Sequence, residues 1–184
     1  LLRASTERSF RRPAGNHVRY IAPIYLSSYC IDACGYCNFS SARRSTERRR
    51  LNLADLEDEL AAVLRSGALV IELVLGTDPE LPWPVLVHYV ARTLELLRRA
   101  CGSGVLLCSD HLSFEAYAAL REAGLWGMIQ WDETLEERAY YRWHATSPRK
   151  RHFKVRMDNH DRAMAAGLEV ATGALFGLAD FRYE

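Results

Sequence analysis

The sequence predicts an α/β fold of parallel strands, a (β/α) barrel or partial barrel of about five β/α units, and three observations carry that expectation. Apolar, β-rich runs alternate with amphipathic helical stretches along the whole chain. The run Leu69 to Leu75 is almost continuously apolar, the mark of a strand covered on both faces. The residues that carry chemistry follow the strands, at their C-terminal ends, where β/α barrels build their sites.

Each element has its own warrant. Tyr20 to Ser27 reads as the first strand and leads into a cysteine loop. A helix is expected from Leu53 to Ser66, with Asn52 as N-cap, Gly67 as terminator, and Leu53, Leu56, Leu60, Val63 and Leu64 on one face. Leu69 to Leu75 is the second strand, followed by Gly76-Thr77-Asp78-Pro79. Trp83 to Arg99 forms a helix with Leu86, Val90, Leu94 and Leu97 inward and Gly102 after it, and Val105 to Cys108 is the third strand. Ser113 caps a helix that runs through Ala123 and stops at Gly124, before a short fourth strand from Gly127 to Trp131. Asp132 to Tyr141 is helix or loop, Asp158 to Ala166 is helix ended by Gly167, and Leu168 to Leu175 is the fifth strand. A flavodoxin-like sheet is the structural alternative.

Composition sets the outer bounds. With 49% hydrophobic and 26% charged residues, residues 1–184 have enough apolar content for the core of one domain. The net charge of +1, from 24 basic and 23 acidic side chains, supplies no field that favours nucleic acid. The longest apolar stretches, such as Ala68 to Leu75, are too short for a membrane span, and no secretory signal is evident. A reducing cytoplasmic setting is expected. The chain starts at Leu1 rather than Met and reads as a fragment, with the C-terminal part of the barrel expected beyond residue 184.

Cys30, Cys34 and Cys37 stand in C-x3-C-x2-C spacing directly after the first strand. Three thiolates at this spacing hold three irons of a four-iron cluster and leave the fourth iron open. Soft sulfur suits iron, and Gly35 with the small Ala33 permits a compact loop. A structural zinc site and a disulfide are the alternatives. Zinc usually takes four ligands, and no fourth cysteine lies nearby; five cysteines is an odd number for a disulfide framework. Cys101 and Cys108 have no partner pattern, and Cys108 reads as a small buried residue in a strand. Arg43, Arg44, Arg48, Arg49 and Arg50 form either a solvated face or a patch that steers an acidic partner.

With Tyr36 just before the last cysteine, the loop resembles the signature of the radical S-adenosylmethionine superfamily. The resemblance implies a [4Fe-4S] cluster on Cys30, Cys34 and Cys37, Tyr36 beside the cofactor, and S-adenosylmethionine on the open iron, cleaved reductively to a 5'-deoxyadenosyl radical. An electron donor such as flavodoxin or ferredoxin is implied as partner. Ala22 to Cys30, Asp161 to Gly167 and Gly173 to Glu184 resemble the aromatic amino acid lyases of that superfamily. These are 2-iminoacetate synthase, the tyrosine lyase of thiamin biosynthesis, its counterpart in iron hydrogenase maturation, and tryptophan lyase as a relative.

Further positions follow from the same likeness. Gly76-Thr77-Asp78 resembles the motif that binds the methionine ammonium, with Thr77 where the lyases usually carry glutamate. Gly173-x-Leu175-x-Gly177-x-x-Asp180 resembles the glycine motif that meets adenine; bare backbone on one face allows a flat ring to approach. Close packing of the sheet is the structural alternative for these glycines. Asp132-Glu133-Thr134 stands where the lyases have Gln-Glu-Thr, and His144 with Ser147-Pro148-Arg149 resembles their His-Pro-x-Gly-Pro-Lys segment. Arg156 matches a further position. The resemblance thus implies Asp132, Glu133, His144, Arg149 and Arg156 as substrate contacts, and a carbon-carbon lyase acting on a small aromatic amino acid such as tyrosine. The alternatives are a methylornithine synthase or biotin synthase-like enzyme and, in a different class, an iron-sulfur domain for electron transfer or sensing.

Overall fold

The computed structural model describes residues 20–100, 102–182 and 184; Leu1, Cys101 and Tyr183 lie outside them. Five strands, β1 (Ile21–Ser27), β2 (Val70–Leu75), β3 (Gly104–Cys108), β4 (Gly127–Glu133) and β5 (Glu169–Ala174), form one sheet in the order β1-β2-β3-β4-β5. Every neighbouring pair is parallel. This sequential order is that of a partial β/α barrel, and it excludes the flavodoxin-like order, in which the strand sequence reverses.

Parallel neighbours need crossovers, and the helices provide them: α1 (Leu53–Leu64), α2 (Trp83–Arg99), α3 (Phe114–Glu122), and the run α4 (Glu137–His144), α5 (Phe153–Met157) and α6 (Asn159–Ala165). Local chemistry sets their ends. The Asn52 side chain accepts from the amides of Ala54 and Asp55 at 2.8 and 3.0 Å, while Asp55 accepts from the Asn52 N–H, a reciprocal cap worth about 1 kcal/mol. Ser113 Oγ caps α3 by accepting from Ala116 N at 3.2 Å.

Burial explains why the helices share one face of the sheet. Ile24, Leu26, Ile71, Leu73, Val105, Leu107 and Met128 point from the strands into Leu56, Leu60, Leu86, Val90, Leu97, Tyr117 and Leu120 of the helices. The other face carries a smaller cluster of Val70, Leu106 and Ile129, with Cys108 and Trp126 packed on it. Leu53, expected on the buried face of α1, is 41% exposed because the first helical residue stands before the turn reaches the sheet. β4 runs two residues past the expected Trp131 and then kinks. Its register with β5 shifts between Trp131 and Glu133, and Glu133 takes φ 70°, the left-handed region that side chains disfavour.

Candidate active site

The cysteine loop is held over the strand ends by groups that satisfy its backbone. Residues 49–51 return antiparallel to the end of β1, with Ser28 N donating to Arg49 O and Leu51 N to Leu26 O, both at 2.9 Å. From there Arg48 reaches into the loop and donates to the carbonyls of Ser28, Phe39 (2.9 Å) and Ser40 (2.8 Å). Arg43 Nε donates to Cys37 O at 3.0 Å. Three of the five arginines after the loop, Arg43, Arg48 and Arg50, are therefore committed to internal contacts, and the basic run is largely scaffold.

The loop makes sulfur available. Cys30, Cys34, Cys37 and Cys108 are all free thiols. Thr77 N–H points at Cys30 Sγ (3.4 Å) and Phe39 N–H at Cys37 Sγ (3.3 Å), the kind of donor that stabilises a metal-bound thiolate. Cys34, 3% exposed, lies 3.7 Å from Ser147 Oγ, and burial raises its thiol above the ordinary value. Gly76 makes room for this arrangement, because a Cβ there would come within 2.8 Å of Cys30 Cβ and 3.0 Å of Tyr29 O. Among the described residues no three His, Cys, Asp or Glu side chains converge on a single metal ion. A tetrahedral zinc would draw its sulfurs to within about 4 Å of one another, whereas a four-iron cube takes one thiolate per iron. Free soft donors with amide hydrogens aimed at two of them fit a cluster of that kind.

Around the cysteines, the residues singled out from the sequence divide. Thr77 hydroxyl donates to Asp32 Oδ2 at 2.5 Å. Asp78 lies with both oxygens occupied: the Arg50 guanidinium grips them in a two-pronged contact at 2.8 Å each, Ser27 Oγ donates at 2.5 Å and Glu80 N at 3.0 Å. Burial would raise the Asp78 carboxyl, but the Arg50 and Ser27 hydrogen bonds outweigh it and hold it below its usual value. Asp78, expected to receive an ammonium, is an anchor for the 49–51 return instead. A cavity of about 510 Å³ opens beside this point, lined by Ile31, Thr77, Asp78, Trp83, Asp110 and Arg149 among others.

Tyr36, His144 and Glu133 come together on the far side of Cys34. The His144 ring is fully buried; its Nδ1 lies 2.7 Å from Tyr140 O and its Nε2 2.7 Å from Tyr36 OH. The tautomer with the proton on Nδ1 satisfies both, donating to the carbonyl and accepting from the phenol. Burial pushes its pKa down to about 4, so the ring is neutral near pH 7. Burial also raises the Tyr36 phenol, with Glu133 and Cys34 adding to it, and raises the Glu133 carboxyl against the pull of Lys150 and Arg156. His144 has no ring nitrogen left for a substrate and orients Tyr36 instead.

Arg156 is 2% exposed, donates to Trp131 O at 2.7 Å and approaches Asp110 at 3.4 Å, while its Nε has no hydrogen-bond partner. Arg149 donates to Asp110 at 2.5 Å and to His111 O at 2.9 Å. Burial raises the Asp110 carboxyl, but His111, Arg149 and Arg156 together hold it well below the usual range. Asp110 was not singled out from sequence, although an acid just past a strand end is a signal for this architecture. Asp32 was also missed. It is fully buried and ties three segments together, and its place between two ligand cysteines was the available clue.

Other expected contacts lie elsewhere. Asp132 faces the helix layer, where it accepts from Gln130 (2.7 Å), His160 (2.9 Å) and Thr172 (2.5 Å), and is 5% exposed. A substrate cannot meet it without dismantling that network. Gly173 lies under the Trp131 indole, since a Cβ there would stand 2.4 Å from Trp131 Cζ3, so packing accounts for this glycine. Gly177, with φ 106° and open space around it, is required by its turn. Leu175 is 43% exposed and takes a backbone bond from its N–H to Glu133 O at 2.7 Å. Asp180 pairs with Arg182 and opens onto a separate groove lined by Glu136, Arg142 and Leu178.

No family model matches the chain. It is 34% identical over 175 residues to 2-iminoacetate synthase of Escherichia coli (strain K12), an alignment that covers 95% of this chain and 45% of that protein. Among solved structures, HydG, a maturase of the [FeFe]-hydrogenase, superposes with a TM-score of 0.84 at 27% identity, covering 92% of this chain and 38% of HydG. The methylornithine synthase PylB superposes with a TM-score of 0.76 over 92% of this chain and 49% of its own, at 20% identity, a likeness of fold. The chain spans less than half the length of the curated relatives it matches.

Proposed function

This chain is a relative of the 2-iminoacetate synthases within the radical S-adenosylmethionine superfamily, and we propose that it is the cofactor-binding part of an enzyme that fragments an aromatic amino acid. Cys30, Cys34 and Cys37 would hold a [4Fe-4S] cluster, and the observation that supports this best is the loop itself. Its three free thiols are pinned over the strand ends, and two of them receive backbone N–H groups.

When bound on Cys30, Cys34 and Cys37, the cluster would supply the one-electron reduction, and S-adenosylmethionine the radical chemistry, that such a reaction needs. The chain's own work is positioning. Gly76 lets the β2 loop close against Cys30, and Tyr36, held by neutral His144, forms the wall beside Cys34. Arg156 Nε, buried with no partner, is a donor suited to a substrate carboxylate, and Glu133 with its raised pKa is a carboxyl suited to share a proton with the substrate amine. A small acidic redox protein is the electron donor we propose, with the exposed Arg44 and Arg49 as its nearest basic contacts. A cytoplasmic setting belongs to the same proposal; among the described residues no helix is long and apolar enough to cross a membrane.

The test is chemical. The full-length protein, reconstituted anaerobically with iron and sulfide and reduced with dithionite, should convert S-adenosylmethionine to 5'-deoxyadenosine and methionine. With tyrosine present, p-cresol should accumulate. A cluster that forms without 5'-deoxyadenosine would mark a passive iron-sulfur domain, and turnover of a non-aromatic amino acid instead would favour a methylornithine synthase-like reaction.

A further inference from the structure

Thr77 is bound to the cysteine loop through every directional group it has. Its N–H points at Cys30 Sγ (3.4 Å), its carbonyl accepts from Ile31 N (3.0 Å) and its hydroxyl donates to Asp32 Oδ2 (2.5 Å). Asp32 in turn is fully buried, and its other oxygen accepts from the amides of Arg149 (3.0 Å) and Lys150 (3.2 Å). Its own carbonyl accepts from Ser41 N at 2.8 Å. Among the described residues no side-chain cation lies within ion-pair distance of Asp32, so its charge is held by neutral donors alone.

Asp78 is saturated by Ser27, Arg50 and Glu80, so its oxygens are spoken for. Thr77 lines the same cavity, and with its proton given to Asp32 its oxygen acts there only as an acceptor. A hydroxyl that donates to a carboxylate is a stronger acceptor, because the two hydrogen bonds polarise each other.

We propose that Asp32 is a positioning residue that acts through Thr77, fixing and polarising its hydroxyl as the acceptor for the amino group of the bound cofactor. The inference rests on the reading that S-adenosylmethionine binds beside the cysteine loop. Asp32 touches no ligand itself; it stands one residue behind the surface and leaves Thr77 Oγ as the acceptor that the N–H groups of an amine require.

A double-mutant cycle on the full-length, cluster-loaded protein tests this, with S-adenosylmethionine affinity measured by titration calorimetry. Asp32→Asn keeps the shape and an oxygen for the two amides and removes the charge; Thr77→Val removes the hydroxyl. Each should weaken binding about tenfold or more, and the double variant should bind about as weakly as Thr77→Val alone. Methylthioadenosine, which lacks the amino group, should bind all four proteins equally, which separates this contact from general disorder. Wild-type affinity in Asp32→Asn, or effects that multiply in the double variant, would overturn the inference while leaving the functional reading intact. A wild type that binds no S-adenosylmethionine would remove both.

Discussion

His144 shows how burial converts a titratable side chain into a fixed strut. With Nδ1 donating to Tyr140 O and Nε2 accepting from Tyr36 OH, the neutral ring is satisfied and the charged ring is not. Its pKa of about 4 lies below the unfolded value near 6.5, so the stability it contributes is complete above pH 6.5 and is lost as pH falls through 4. The full effect is on the order of 3 kcal/mol. Between pH 7 and 4 the wild type should lose stability that His144→Gln does not, read as convergence of their urea midpoints; parallel curves would show that the imidazole does not titrate in this way. Asp78 is fixed by its neighbours in the same way. From the sequence it is a carboxylate after a strand; in the fold it is the partner of Arg50, and only the position of the 49–51 return reveals that.

At the level of elements, β4 and β5 carry two glycines with different reasons. A Cβ at Gly127 would meet Glu169 O at 2.6 Å, a backbone atom that moves only if β5 moves. At Gly173 the clash is with the edge of the Trp131 ring, and Trp131 is 49% exposed and free to swing outward. Gly127→Ala should therefore cost about 1–3 kcal/mol and Gly173→Ala clearly less, as compared by chemical denaturation. Equal losses would mean that Trp131 is as rigid as the strand. The spacing of Gly173 and Gly177 leads one to expect bare backbone on one face of a strand, but β5 ends at Ala174 and Gly177 stands in the turn beyond it with φ 106°. Sequence had no means to show that an indole from the neighbouring strand already lies over the first of them.

For the molecule as a whole, protein hydrogen bonds tie the cysteine loop to four separate parts of the chain. Arg48 holds it from the return segment, Thr77 from the β2 loop, Ser147 Oγ accepts from Ala33 N at 3.1 Å and lies 3.7 Å from Cys34 Sγ, and Gly35 N donates to Trp143 O at 3.2 Å. Small metal domains whose folding energy comes from the metal unfold on chelation. Here the apolar layer between sheet and helices supplies that energy. Removal of iron should leave the far-ultraviolet circular dichroism unchanged and alter only the visible absorption; loss of secondary structure on chelation would show that the loop ties are too weak to stand alone.

The sequence by itself determined the β/α alternation, the helix caps and the cysteine loop at the end of the first strand, because these follow from patterns within a few residues: apolar period, turn glycines and ligand spacing. It could not decide which side of a strand end each charged residue would face. Asp132 and Glu133, neighbours on β4, face opposite sides by strand alternation, and only the packed helices show that the first is turned to His160 beneath them and the second to Tyr36. Asp32 meets Arg149 across 117 positions. Only the closing of the sheet brings such groups within reach, because a hydrogen bond depends on where the backbone places two atoms and not on how the chain between them is spelled.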